Sequence, residues 1–245
     1  MRSPASLPYG FTLLELAIVL AILGLLGGGL SLSLAAQREQ QGQIASRRLT
    51  EQQLQQIREA LIGFALINGR LPCPDFDNDP LAAGYGWEDS SCSAAPLQEG
   101  ALPWRTLGVS EFDAWGSPWR QASLPRNGYW RYRVERLYAD PASQNLSAST
   151  LIQPNPSYKD EISISDSLTT SLTLASKDTV TALVYSVGAN GQADGLNASF
   201  ESSKASYSAG DPGPTFDDQL IWLSRTLLVS RLSAQGVIPP VCASP

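Results

Sequence analysis

Gly10-Phe11-Thr12-Leu13-Leu14-Glu15 stands immediately before residues 16–36, a run without a single charged side chain. At about 1.5 Å per residue that run makes a helix of roughly 30 Å, the thickness of a bilayer's hydrocarbon core. Glu15 sits near its start. A carboxylate in lipid costs a few kcal/mol or more, so such a residue is expected to have a partner and a role. Two simpler readings compete. A secretory signal peptide would use Arg2 as its basic region and Ser33-Leu34-Ala35 as its cleavage site, but gives no reason for Glu15 within the apolar part. An ordinary membrane anchor explains the length but not the Gly-Phe-Thr-Leu-Leu-Glu string.

The string resembles the leader of type IV pilins and type II secretion pseudopilins. The resemblance implies cleavage by a prepilin peptidase between Gly10 and Phe11, N-methylation of Phe11, and retention of the apolar helix. Glu15 becomes the fifth residue of the mature chain. Its carboxylate would pair with the Phe11 α-ammonium of a neighbouring subunit, and both charges lie in low dielectric, where attraction is strong. The divisions that follow are a leader (1–10), a transmembrane helix (11–36), its soluble continuation (37–68) and a periplasmic or extracellular globular domain (69–245). Arg38, Arg47 and Arg48 outnumber the basic residues of the leader. The distribution of positive charge alone therefore does not put the N-terminus inside; the resemblance requires it.

Composition narrows the function further. The 245 residues carry a net charge of -6, which argues against a nucleic-acid-binding surface. There is no histidine, so the commonest general base and the commonest zinc ligand are both missing. An anchored or secreted enzyme or binding protein is the alternative from another class. It would have to work with Asp and Glu alone, as glycosidases do.

Residues 37–68 contain no proline, and helix-tolerant Gln, Glu, Arg, Leu and Ala dominate. Ile44, Leu54, Ile57, Leu61 and Phe64 define one apolar face. Asn68-Gly69 with Pro72 predicts the stop, so a helix from Phe11 to Asn68 would be about 85 Å long. The Pro-, Asp- and Ser-rich loop that follows holds Cys73 and Cys92, and a bridge between them would close it. Cys242 is an alternative partner for either. Asp75, Asp77 and Asp79 have a calcium-loop spacing. Pro80 and Gly86, however, stand where an EF-hand needs Gly and Glu, so a solvated acidic turn is the simpler expectation.

Strand signals fill the second half. Trp130, Tyr132 and Val134 alternate with Arg131, Arg133 and Glu135, which predicts a half-buried strand. Residues 161–165, 168–174 and 179–187 are β-prone, and residues 216–224 read as the last strand. Ser224 is placed to cap a helix bearing Leu227, Leu228 and Leu232, with Gly236 as its stop. The fold class expected is α+β, a long N-terminal helix packed on an antiparallel sheet.

Two further segments are similar to major pseudopilins. Asp113-Ala114-Trp115-Gly116-Ser117-Pro118 matches an Asp-x-Trp-Gly-x-Pro segment, and Tyr185-Ser186-Val187-Gly188-Ala189-Asn190-Gly191 matches a Tyr-Ser-x-Gly-Ala-x-Gly turn. In that family a loop near the second segment binds calcium, which implies Asp194, Asp217 and Asp218 as ligands here. The serine-rich stretch between them is longer than the family's loop. The function implied is a structural, minor pilin-like subunit of a type II secretion pseudopilus or type IV filament; a minor type IV pilin or a tip adhesin is the near alternative. Its partners would be other pilin-type subunits, the prepilin peptidase, an inner-membrane assembly platform and the membrane itself.

Overall fold

A computed structural model of the chain describes residues 12–77, 79–92, 99–116, 130–139, 146, 162–168, 172–176, 179–198, 205–213 and 215–238, the side chains of 25–36 excepted. The chain forms two compact units, Met1–Ala45 and Ser46–Pro245. Helix α1, Leu13–Asn68, contributes to both. In the first unit every described side chain of α1 is exposed, including Leu13 (89 %) and the apolar residues up to Leu23. Among the described residues no helix is long and apolar enough to cross a membrane; part of the apolar run, 25–36, lies outside the described side chains.

The second unit has three layers. Its central layer is a four-stranded antiparallel sheet in the order β1 (Glu99–Ala101), β2 (Arg131–Val134), β5 (Val180–Ser186), β7 (Gln219–Ser224). The second layer is helical. Leu54, Ile57, Leu61 and Ala65 recur at helical spacing along α1 and enter one core with Tyr132, Val134, Ala182, Val184 and Leu223. Leu228 and Leu232 of the C-terminal helix, Arg225–Ala234, join the same core. That helix begins as its sequence predicts: the Ser224 hydroxyl accepts the Leu227 N–H at 3.2 Å. Ile44, expected on the buried face of α1, is exposed instead, and Phe64 is half-buried beneath the Arg70 guanidinium.

The third layer is a small sheet in the order β4 (Thr173–Ala175), β3 (Ser163–Asp166), β6 (Ser206–Ala209), in which β3 and β6 run parallel. It covers the other face of the central sheet. Leu183, Tyr185 and Val187 of the β5 region form a second core there with Ile162, Ile164 and Tyr207. Covering both faces explains why β5 is a continuous buried run.

The same layer corrects the expectation for β2, which is buried throughout rather than on one face. Arg131 and Arg133 lie on the side facing the small sheet and are 2 % and 1 % exposed. Glu99, opposite Arg133 in the β1–β2 register, stands 3.8 Å from its guanidinium and accepts the Tyr207 hydroxyl at 2.6 Å. Burying such charges is costly unless they meet partners of this kind.

Candidate functional site

Three places carry the residues singled out from the sequence. At the N-terminal motif, Gly10 and Phe11 lie outside the described residues. Thr12 caps α1: its hydroxyl accepts the Glu15 N–H at 3.3 Å, and its carbonyl accepts the Leu16 N–H at 3.2 Å. Thr12 and Glu15 thus have the spacing of a capping box, which sequence reading passed over although the Thr-x-x-Glu signal is present. The helix begins two residues after the Gly10–Phe11 bond, and the negative Glu15 occupies its first turn, where the helix dipole favours it.

The second place is the loop after α1. A Cys73–Cys92 disulfide closes it, and Arg70 forms a two-point ion pair with Glu88 at 2.7 and 2.9 Å. Asp75, Asp77 and Asp79 do not converge. Asp75 is buried, and its two carboxylate oxygens accept the N–H groups of Asp77 (2.8 Å) and Gly86 (2.9 Å). Asp79 accepts the Leu81 N–H in an exposed turn. This spacing serves the backbone of the loop, as an acidic turn does. The nearby aromatic residues are structural too. Gly86, at φ +82°, packs so closely on Trp104 that a Cβ would fall 2.6 Å from the indole, and the Arg105 guanidinium lies 4.8 Å from the same ring.

The third place is the group Asp194, Asp217 and Asp218. One carboxylate oxygen of each lies within 4.8 Å of the others, the only such group of three or more acids or cysteines among the described residues. Asp194 follows the turn after β5, and Asp217 and Asp218 immediately precede β7. The adjacency of β5 and β7 in the sheet brings them together. Gly188 makes the approach possible. At φ +69° it takes a left-handed conformation, and a Cβ there would lie 2.5 Å from the Asp217 carbonyl oxygen. The cluster is laced by backbone donors: Asp217 N–H to Asp194 (2.8 Å), Asp194 N–H to Asp218 (2.9 Å) and Asn190 N–H to Asp217 (3.0 Å).

Those bonds leave Oδ1 of Asp217 and Oδ1 of Asp218 buried without a hydrogen-bond partner. Asp218 is 2 % exposed. Burial pushes its carboxyl up to about 7 despite hydrogen bonds that act the other way, and Asp194 and Asp217 add like-charge repulsion. Asp217 is raised as well, first by burial. Hard oxygen donors with unspent lone pairs fit a hard cation such as calcium, which takes six to eight oxygens.

The Asp113 segment fastens this corner to α1. Asp113 is buried and accepts the Ser186 hydroxyl and the Trp115 N–H. Ser186 in turn accepts the Gly188 N–H. Gln53 donates to the Phe112 carbonyl, and Gln219 accepts from the Trp115 indole and donates to the Arg47 carbonyl.

Residues 9–31 match the family described as "Prokaryotic N-terminal methylation motif". No curated protein and no solved structure matches the chain. The chain therefore carries a prepilin-type N-terminal motif, typical of type IV pilins and pseudopilins, on an α+β fold with a long N-terminal helix.

Proposed function

We propose that the protein is a structural, minor pilin-like subunit of a type II secretion pseudopilus or a type IV filament, held in the inner membrane before assembly. The observation that carries this reading is the methylation motif at residues 9–31, which coincides with a capped helix start. Prepilin peptidase cuts between Gly10 and Phe11 and the new terminus is methylated. The apolar stretch of α1 then anchors the subunit as a single span, with the second unit on the outer side. On extraction into a filament, exposed Leu and Ile side chains of α1 pack against neighbouring subunits. Glu15 pairs with the Phe11 ammonium of another copy, because an unpaired charge in that setting is costly. The assembly platform and other pilin-type subunits are the partners.

Calcium is the cofactor that the Asp194–Asp217–Asp218 group supports. It would supply positive charge to three clustered carboxylates and hold the start of β7 against the turn after β5.

The deciding measurement is the N-terminal peptide of the protein from its native envelope, by mass spectrometry. An N-methylated Phe11 is expected; a start near Ala36 would mean ordinary secretion and overturn the reading. With processing established, Glu15→Ala should leave cleavage intact and strongly reduce incorporation into filaments. Undiminished incorporation would refute the pairing.

A further inference from the structure

Asn197 lies in a 3-10 turn, Gly195–Ala198, between the acidic group and β6, and is completely buried. Its side chain reaches in two directions. Toward β6 it acts like a second peptide group: Oδ1 accepts the Ser208 N–H at 2.9 Å, and Nδ2 donates to the Ser208 carbonyl at 3.0 Å. Toward the acids, Nδ2 donates to Oδ2 of Asp218 at 2.9 Å. An amide nitrogen has two hydrogens, and both are used. The backbone is tied down too, since Asn197 N–H donates to the Asp194 carbonyl and its own carbonyl accepts the Tyr185 hydroxyl.

This arrangement has a directional effect on Asp218. Asn197 and the Asp194 N–H both hold Oδ2, while Oδ1 has no hydrogen-bond partner. The carboxylate is thereby fixed with one oxygen spent and the other reserved. An acidic residue at position 197 could not donate to Asp218, and an alanine could reach neither Asp218 nor Ser208.

We propose that Asn197 is the positioning residue of a divalent-cation site at Asp194, Asp217 and Asp218, and that it transmits occupancy of that site to β6 and hence to the small sheet. The inference rests on the calcium reading above and goes beyond it. A bound cation restrains Asp218; Asp218 restrains Asn197; Asn197 clamps the backbone of Ser208. Strand β6 pairs directly with β3, so the restraint extends to the whole β3–β6 ladder. Gly195–Ala198 and Ser206–Ala209 are then the parts of the chain that read the site.

The test uses the full-length protein in detergent micelles, stripped with chelator and titrated with calcium chloride. Binding is followed by calorimetry, and backbone hydrogen exchange by mass spectrometry. In the wild type, calcium should slow exchange across Ser206–Ala209 at least tenfold, with a much smaller change in β1. Asn197→Ala should weaken calcium binding about tenfold and abolish its effect on exchange in β6. Asp218→Asn serves as the control that removes binding. If the wild type binds no calcium, the cation reading itself fails. If it binds calcium but β6 exchange is unchanged, the cation reading stands and the coupling is wrong. Wild-type affinity in Asn197→Ala would remove the positioning role. Should that variant not fold, the wild-type exchange experiment still decides the coupling.

Discussion

Two sets of three aspartates invite the same reading and do opposite things. Asp75, Asp77 and Asp79 are spaced along the chain like ligands, yet the structure spends Asp75 and Asp79 on backbone N–H groups of their own loop. Asp194 lies more than twenty residues from Asp217 and Asp218, yet these three converge and keep two oxygens in reserve. Sequence spacing is thus a weaker guide to which carboxylates converge than strand adjacency. A local acidic run satisfies nearby donors first, because they are always within reach. Carboxylates delivered by neighbouring strands are held close whether or not they have partners.

The contrast can be broken most directly at Asp218. Asp218→Asn should abolish calcium binding and, without calcium at pH 8, stabilise the protein by as much as about 3 kcal/mol. The sign follows from the raised carboxyl. Below the unfolded value of 3.8 both states are protonated. Between there and about 7 the unfolded chain ionises first, so stability falls as pH rises, and it levels off above. Asp217 and Asp113, also raised by burial, slope the same way. Urea unfolding at pH 5 and pH 8, with and without calcium, checks this; calcium should flatten the slope by taking the place of the proton. A calcium-free wild type more stable at pH 8 than at pH 5 would contradict it.

Asp75→Ala should act in the opposite sense. It strips two N–H groups of their acceptor and should cost about 2–3 kcal/mol, with calcium affinity unchanged. Gly188→Ala sharpens the geometric side. The left-handed backbone and the contact with Asp217 should together cost about 2 kcal/mol and weaken calcium binding, measurable by thermal melts with and without calcium. Asp79→Asn is the smallest expected effect, within about 0.5 kcal/mol and silent in calcium titration. A large loss of calcium binding there would move the site to the first loop.

The legible parts of the fold are those with local signals. Helix α1 announces itself by Leu54, Ile57 and Leu61 and by its Asn68-Gly69 end. Strand β5 does so by its apolar run, and the C-terminal helix by Ser224. Strands β1 and β6 were missed. Each is only three or four residues long, and Glu99-Gly100-Ala101 and Ser206-Tyr207-Ser208-Ala209 have little intrinsic strand character. They exist because a neighbouring strand supplies their hydrogen bonds. Missing β6 hid the small sheet, and that sheet is why Arg131 and Arg133 are inside. The acidic group is legible only through a resemblance, against the length of the intervening stretch, whose described parts include a 3-10 turn and β6. The Cys73–Cys92 pairing, one of the open choices, is the one formed. Asp113, visible only as a motif, proves to be a tie between β5 and the loop against α1.

The helical core has a consequence for the timing of folding. The apolar face of α1 is synthesised early, but its covering residues include Leu223, Leu228 and Leu232, at the far end of the chain. Strand β5, the central wall, gains one neighbour at β2 and the other only when β7 arrives. Contacts so distant in sequence form slowly. The face of α1 therefore stays uncovered until nearly the whole polypeptide has been synthesised, an interval in which its apolar residues are open to competing contacts.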